Sequence, residues 1–358
     1  MRFPSLPKLS LPKFRFPFGG GAKKQGATTC GLDIGNQRVK WVELRHGTKP
    51  ELVAFSSVPI KKGIGRERVL TAVKEAVHSS GSISRRIHSA IGGQSVIIRY
   101  IQLPSMTREE LRSSIEFEAD KYIPFNVKEV ILDCQILEER EEGSKILAVL
   151  VAAKRDAVNH HLSLLQEAGL EVDLLDVDTF AIVNAFEHFL GTQSPNTVHA
   201  LLDMGAKTTN ISILRGATSL FSRDVPIGGD DFTQAIAEKL NLEIDAAEVL
   251  KCSGTKSSEE LLALIGTPLE NLVGELRLSF DYFENQYDKR VERLYLSGGS
   301  SRLTGIPDSL RKSFSGEVLS WNPLEGISVP SKGNFAKLKD LKEGLAVAVG
   351  LALRSGND

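Results

Sequence analysis

At 358 residues, with 41% hydrophobic and 25% charged side chains, the chain has a globular composition and is long enough for two domains with cores of their own. A formal net charge of -1 gives no bulk attraction to nucleic acid, so no nucleic-acid partner is expected. Cys30, Cys134 and Cys252 are an odd, widely spaced set without a Cys-x-x-Cys pair, which argues against a disulfide framework and a zinc site and fits a reducing cytoplasm. The most apolar stretches, residues 146–153 and 345–353, fall short of the roughly 18 to 20 residues that span a bilayer.

Residues 1–27 have the positive start of a signal peptide but neither its continuous apolar segment nor its cleavage site. Six Lys/Arg, no acid, and Phe and Leu interspersed with Pro read as an extended basic tail, hinged at Gly19-Gly20-Gly21. This tail is either a plain linker or one that touches anionic lipid or a partner. Gly19–Lys24 lacks the Gly-Lys-Ser/Thr order of a Walker loop.

Strands are expected over 28–44 and 51–58, a helix over 66–79 and strands over 86–103. Thr107-Arg-Glu-Glu110 has the form of a capping box, and Leu111, Ile115, Ala119 and Ile123 share one helical face before Pro124. Strands at 130–137 and 145–153 and a helix at about 156–168 complete a compact α+β insert over 94–172. The acidic run from Glu138 reads as a solvated hairpin tip, and His160-His161 as surface residues. A helix near 178–190 returns to the first domain.

The second half opens with strands at 198–203, 209–214 and 218–225. Helices dominate 230–286, the longest turning Leu269, Leu272, Val273, Leu276, Phe280 and Phe283 inward. A strand at 292–297 follows, and the last helix, near 338–353, is apolar enough to be buried. One internal repeat stands out: Leu32-Asp-Ile-Gly35 and Leu202-Asp-Met-Gly205 each link two strands, and the two segments close with Leu44 and Leu214 at the same offset. Two similar halves would set these turns face to face across a cleft.

Phosphates bound by main chain need amides at close approach, which favours glycine turns, and Mg²⁺ needs carboxylates while keeping several waters. Asp33 and Asp203 suit the metal, held through water, and Lys40 lies one strand-length from the first turn. A third piece, Leu294-Tyr-Leu-Ser-Gly-Gly-Ser-Ser-Arg-Leu-Thr-Gly305, ends a strand in Gly298-Gly299 with a helix expected from Ser300 or Ser301.

With these motifs in this order, the sequence resembles the actin-like ATPase superfamily, which includes actin, the Hsp70 nucleotide domain, sugar kinases and FtsA. Pro226-Ile-Gly-Gly-Asp-Asp-Phe232 is similar to the stretch that follows the second phosphate loop in Hsp70-type members. Ile115–Phe125, Gly169–Asp178 and the ending Glu343–Arg354 resemble the PilM family of type IV pilus assembly proteins and its FtsA-type subdomain. The resemblance implies an α/β fold of two similar halves around a nucleotide cleft. Residues 28–93 and 173–197, closed by a C-terminal helix at 338–355, would form the first actin-like subdomain, with the insert at 94–172. Residues 198–229 with 287–337 would form the second, and 230–286 a helical subdomain on the nucleotide side.

It further implies ATP with Mg²⁺ in the cleft. Gly35, Asn36, Gln37, Gly205, Lys207 and Thr208 would surround the phosphates, helped by Lys40, Gly228 and Gly229, and Gly298, Gly299 and Ser300 would border adenosine. Weak or no hydrolysis is expected of the chain alone, with Asp178, on the returning helix, the candidate to orient water. Tyr122, Ile123 and Phe125 are candidate walls of a groove for the cytoplasmic N-terminal peptide of the inner-membrane protein PilN. That places the chain in the cytoplasm at the inner face of the inner membrane, in contact with pilus motor ATPases, with self-association possible and only peripheral membrane contact. Alternatives are a small-molecule kinase, an FtsA-like filament-forming ATPase, an Hsp70-like chaperone lacking its substrate domain, or a structural member like the type II secretion L protein.

Overall fold

The computed structural model describes residues 26–61, 65–140, 143–191, 196–330 and 334–354. The basic tail up to residue 25, with its Gly19–Gly21 run, lies outside the described residues. Strands β1 (Thr28–Ile34), β2 (Arg38–Arg45) and β3 (Glu51–Pro59) form a meander, followed by α1 (Arg66–Ser80) and β4 (Arg86–Ile91). The insert follows with β5 (Val96–Pro104), α2 (Arg108–Ala119), β6 (Val130–Arg140) and β7 (Lys145–Lys154). Then come α3 (Arg155–Glu167), β8 (Glu171–Val177) and α4 (Asp178–Leu190).

The second half repeats the plan. It runs through β9 (Val198–Met204), β10 (Thr209–Arg215), β11 (Thr218–Val225), α5 (Gly229–Leu240), α6 (Ile244–Cys252) and α7 (Ser258–Tyr287). The chain then closes with β12 (Arg293–Ser297), α8 (Ile306–Ser313), β13 (Glu317–Ser320) and α9 (Ala346–Leu353). The two five-stranded sheets have orders β3-β2-β1-β4-β8 and β11-β10-β9-β12-β13. In each, three antiparallel strands are extended by two parallel ones. This is the duplicated architecture of the actin-like ATPase fold.

The apolar character of α4 and α9 explains their place: both lie between the two sheets, where Ala181, Phe186, Ala348 and Leu351 join Val42 and Leu44 of one sheet to Leu201 and Tyr295 of the other. Helices α1 and α3 cover the outer face of the first sheet, and α5, α6, α7 and α8 that of the second. A helix buried on all sides needs an apolar circumference, and all eight residues of α9 are buried. No helix among the described residues is long and apolar enough to cross a membrane.

Several local expectations shift. The last helix begins at Ala346 rather than near 338, because residues 334–340 and 342–345 form 3-10 turns tied to the site: the Gly298 amide donates to the Glu343 carbonyl at 2.8 Å. Helix α2 keeps its capping box, with the Thr107 amide donating to Glu110 Oε2 at 2.7 Å, but ends at Ala119. Pro124 disfavours helix at the residue before it, and Ile123 reaches the same core from the following turn. Only β5, β7 and β6 build the separate sheet of the insert; β8 pairs with β4, and α3 sets Leu164 and Leu165 into the first half's core.

His161 is half-buried rather than an open surface residue. Its Nε2 lies 2.9 Å from Ser89 Oγ, and burial, with His160 beside it, pulls its pKa down to about 4. Glu138 likewise leaves the solvated tip expected for it: it bonds Arg140 at 2.7 Å and pairs with Arg215 of β10. Glu141 and Glu142, the rest of that run, lie outside the described residues.

Candidate functional site

The two repeated turns are built alike. Gly35 donates its amide to the Arg38 carbonyl at 3.0 Å, and Gly205 donates to that of Thr208 at 2.9 Å. Each turn delivers an aspartate at the end of its leading strand, and β-register then aligns a row of side chains on the neighbours. In the first sheet Asp33 faces Lys40, which faces Ser57. In the second, Asp203 faces Asn210, which faces Asp224.

These rows meet in a cavity of about 440 Å³ between the halves. Lys40 Nζ donates to Asp33 Oδ2 at 2.7 Å. Burial alone would lower the lysine's pKa, but Asp33, with Asp203 and Asp178 behind it, outweighs that and raises it, so the amine stays charged. Asp203 accepts from Ser297 Oγ at 2.7 Å; burial raises its proton affinity despite that bond and Lys40. Asp178, at the start of α4, is raised well above the ordinary aspartate value by burial, then by the charges of Asp33 and Asp224. The cavity therefore holds more carboxylate than cation.

On the second half, Gly298 has φ +85, a left-handed conformation, and a Cβ there would strike the Met204 main chain. This lets the β12 turn lie directly against β9. Ser300 Oγ donates to the Gly205 carbonyl at 2.9 Å, and the Gly229 amide donates to the same carbonyl at 3.0 Å. The Gly205 turn, the Gly228-Gly229 turn and the Gly298-Gly299 turn are thus bound together. Gln37 Nε2 reaches Asp230 Oδ1 at 3.0 Å, linking the first turn to α5 across the cleft.

Of the residues singled out in the sequence, Asp33, Gly35, Asn36, Gln37, Lys40, Asp178, Asp203, Gly205, Thr208, Gly229, Gly298, Gly299 and Ser300 line this one cavity. Lys207 is exposed at the turn tip, and Gly228 packs against the Ala206 carbonyl behind it; neither lines the cavity. Ile123 is buried in the insert core, while Tyr122 and Phe125 are half-buried against it. Lys154 Nζ sits 4.5 Å from the centre of the Phe125 ring.

Sequence reasoning missed three contributors. Gly92 leaves room for the Asp178 carboxylate, which a Cβ there would strike. Asp224 closes the second row, and its place just before Pro226-Ile-Gly-Gly229 was the available signal. Lys251 on α6 donates to the Gly229 carbonyl at 2.8 Å and to Thr233 Oγ1 at 2.6 Å, closing the floor of the cavity; an ordinary amphipathic helix gave no hint of it.

Among the described residues no group of three or more His, Cys, Asp or Glu is placed to ligate an ion directly.

Comparison with known proteins agrees with this architecture. The solved PilM-PilN type IV pilus biogenesis complex contains a chain 32% identical to this one, with a TM-score of 0.83 over 93% of this chain and 100% of that one. The ethanolamine utilization protein EutJ from Carboxydothermus hydrogenoformans shares the fold at 16% identity and TM-score 0.55, covering 93% of this chain and 92% of its own. The family described as type IV pilus assembly protein PilM matches residues 31–356. From Gly31 and the first Asp-x-Gly turn to the buried α9, then, this chain belongs to the PilM family of type IV pilus assembly proteins.

Proposed function

We propose that the chain is an ATP-binding adaptor of the type IV pilus inner-membrane assembly complex, whose cleft takes Mg-ATP and whose insert takes the cytoplasmic N-terminal peptide of PilN. The observation that carries the nucleotide reading is the excess of carboxylate around one lysine between two glycine turns. Asp33, Asp178, Asp203 and Asp224 crowd Lys40; burial first, and then repulsion among these carboxylates, raises Asp178 and Asp203, and a divalent cation would relieve the repulsive part. When bound, Mg²⁺ would neutralise phosphate charge, with Asp33 and Asp203 holding its waters. The two turns line the same cavity, where Gly298, Gly299 and Ser300 would border the base. Hydrolysis by the chain alone is weak or absent, and Asp178 is the residue that would orient water for it.

The peptide reading rests on the match to a chain solved with PilN and on the form of the insert. Strand β6 is an edge of the three-stranded sheet, and a groove beside it is lined by Ser105, Met106, Thr107, Ile136, Leu137 and Glu139. Such an edge offers main-chain partners to an extended peptide, with apolar positions for selectivity. Equilibrium ATP binding with and without Mg²⁺, on the parent and on the Asp33→Ala, Asp203→Ala double variant, tests the cleft. Unchanged affinity would overturn it. A PilN N-terminal peptide titrated with and without ATP tests the insert: loss of binding on Leu137→Asp is expected, and equal binding would move the site elsewhere. If nucleotide and peptide are coupled, each must strengthen the other by the same factor.

A further inference from the structure

Helix α6 buries two of its nine residues, Ala247 and Lys251. A lysine is costly in that place: its ammonium loses water, and an apolar side chain of similar length would pack there without that cost. Only 6% of the Lys251 side chain is exposed, and protein acceptors replace the lost water. Its Nζ donates to the Gly229 carbonyl at 2.8 Å, to Thr233 Oγ1 at 2.6 Å and to Glu248 Oε2 at 2.6 Å. An ammonium has three protons. All of them are taken, so none is left for a phosphate oxygen or a ribose hydroxyl, although Lys251 lines the same cavity as Lys40.

What the ammonium holds is the turn that opens α5. Gly229 is the first residue of that helix, and its amide donates to the Gly205 carbonyl at 3.0 Å, while the Asp230 amide donates to the Ala206 carbonyl at 2.7 Å. The fit is close: a Cβ on Gly228 would strike Ala206, and one on Gly229 would strike Ser300 Oγ. Thr233 lies one helical turn after Gly229, and its single hydroxyl proton serves either the Gly229 carbonyl at 3.0 Å or Glu248. Glu248 and Lys251 stand one turn apart on α6, so their charges cancel locally and leave Lys40 as the cation that answers the aspartates. One buried group thus ties α6 to the start of α5 and, through Gly229, to the Gly205 turn.

We propose that Lys251 is a positioning residue, which holds the Gly228-Gly229 turn against the Gly205 turn and so fixes the phosphate end of the cleft without touching nucleotide itself. This rests on the nucleotide reading above. Lys251→Met keeps most of the side chain's length and removes its bonds to Gly229, Thr233 and Glu248. Calorimetric titration should show Mg-ATP binding weakened by about tenfold or more, the scale of losing bonds to a charged group, while adenosine, which has no phosphate, binds within about twofold of the parent. Equal weakening for ATP and adenosine would make Lys251 a nucleoside ligand and overturn the proposal, as would undiminished ATP binding. Thr233→Val leaves one ammonium proton without a partner and should reproduce part of the loss. Thr233→Ser keeps the hydroxyl and should bind ATP as the parent does; a Thr233→Ser chain as weak as Thr233→Val would overturn the proposal as well. Amide hydrogen exchange in the nucleotide-free chain reads the contact directly. Exchange at Gly229 and Asp230 should quicken about tenfold in Lys251→Met, with that at Gly35 unchanged. Uniform quickening across both turns would mean general loosening and would refute the positioning role. Failure of the parent to bind ATP would sink the nucleotide reading by itself, since exchange at Gly229 and Asp230 still decides what Lys251 holds.

Discussion

The two halves place different residues in one and the same row. Across β1, β2 and β3 the row is Asp33, Lys40, Ser57; across β9, β10 and β11 it is Asp203, Asn210, Asp224. The first row balances its own charge. The second does not, and its remaining partners are hydroxyls and amides: Ser297 donates to Asp203, and Asn210 Nδ2 donates to Asp224 at 2.9 Å and to Thr179 at 2.8 Å. A duplicated backbone thus carries an unequal division of charge, with Lys40 of the first half serving as counter-charge for both. The lesson is that strand topology copies the positions of side chains, while the residue types placed there decide which half supplies the cation and which the acid.

The sharpest way to break this comparison is Lys40→Met. It leaves Asp33, whose side chain is only 7% exposed, without its ion pair and strips the cleft of its shared cation. A loss of about 3 to 5 kcal/mol in unfolding free energy is expected from urea melts, and Mg²⁺ should recover part of it. The matching change in the second half, Ser297→Ala, removes one hydroxyl bond to a carboxylate and should cost about 2 kcal/mol. Equal losses in the two variants would refute the asymmetry.

Raising the pH acts on the cleft acids of both halves in the same sense. Asp178 and Asp203 have folded-state pKa values raised above the unfolded value, so they contribute stability in acid that is lost as pH rises through those raised values. Asp178→Asn, which removes the charge, should therefore raise the melting temperature at pH 8 by a few degrees, a gain on the order of 1 kcal/mol, and change little at pH 5. A lower melting temperature at pH 8 would contradict the crowding of carboxylates.

His161 behaves in the opposite sense. Its folded pKa of about 4 lies below the ordinary 6.5, so the stability of the neutral imidazole is present above 6.5 and is lost as pH falls toward 4. His161→Gln keeps a polar group facing Ser89 and should flatten the acid limb of the urea midpoint between those pH values by up to about 1 kcal/mol once partial exposure is allowed for. An unchanged acid limb would place the sensitivity elsewhere.

The cleft's main parts were legible in the chain because they rest on local rules. An apolar run that breaks at Asp-x-Gly and resumes is a strand, a turn and a strand wherever it occurs, and its recurrence 170 positions later announced the duplication. The capping box at Thr107, the inward stripe of α7 and the apolar ring of α9 are likewise properties of their own segments. What those rules could not reach are contacts between distant segments. Glu138 looked solvated because its partner Arg215 lies 77 residues away, and His161 looked exposed because Ser89 lies 72 residues away. Lys251 joins the cavity only because α6 folds over the Gly229 turn. Pattern and spacing within each segment determined the repeated turns, the strands around them and the acids they carry. The packing of two sheets around α4 and α9 decided which of those acids share one lysine, since charge interactions act through space and depend on separations that no single segment contains.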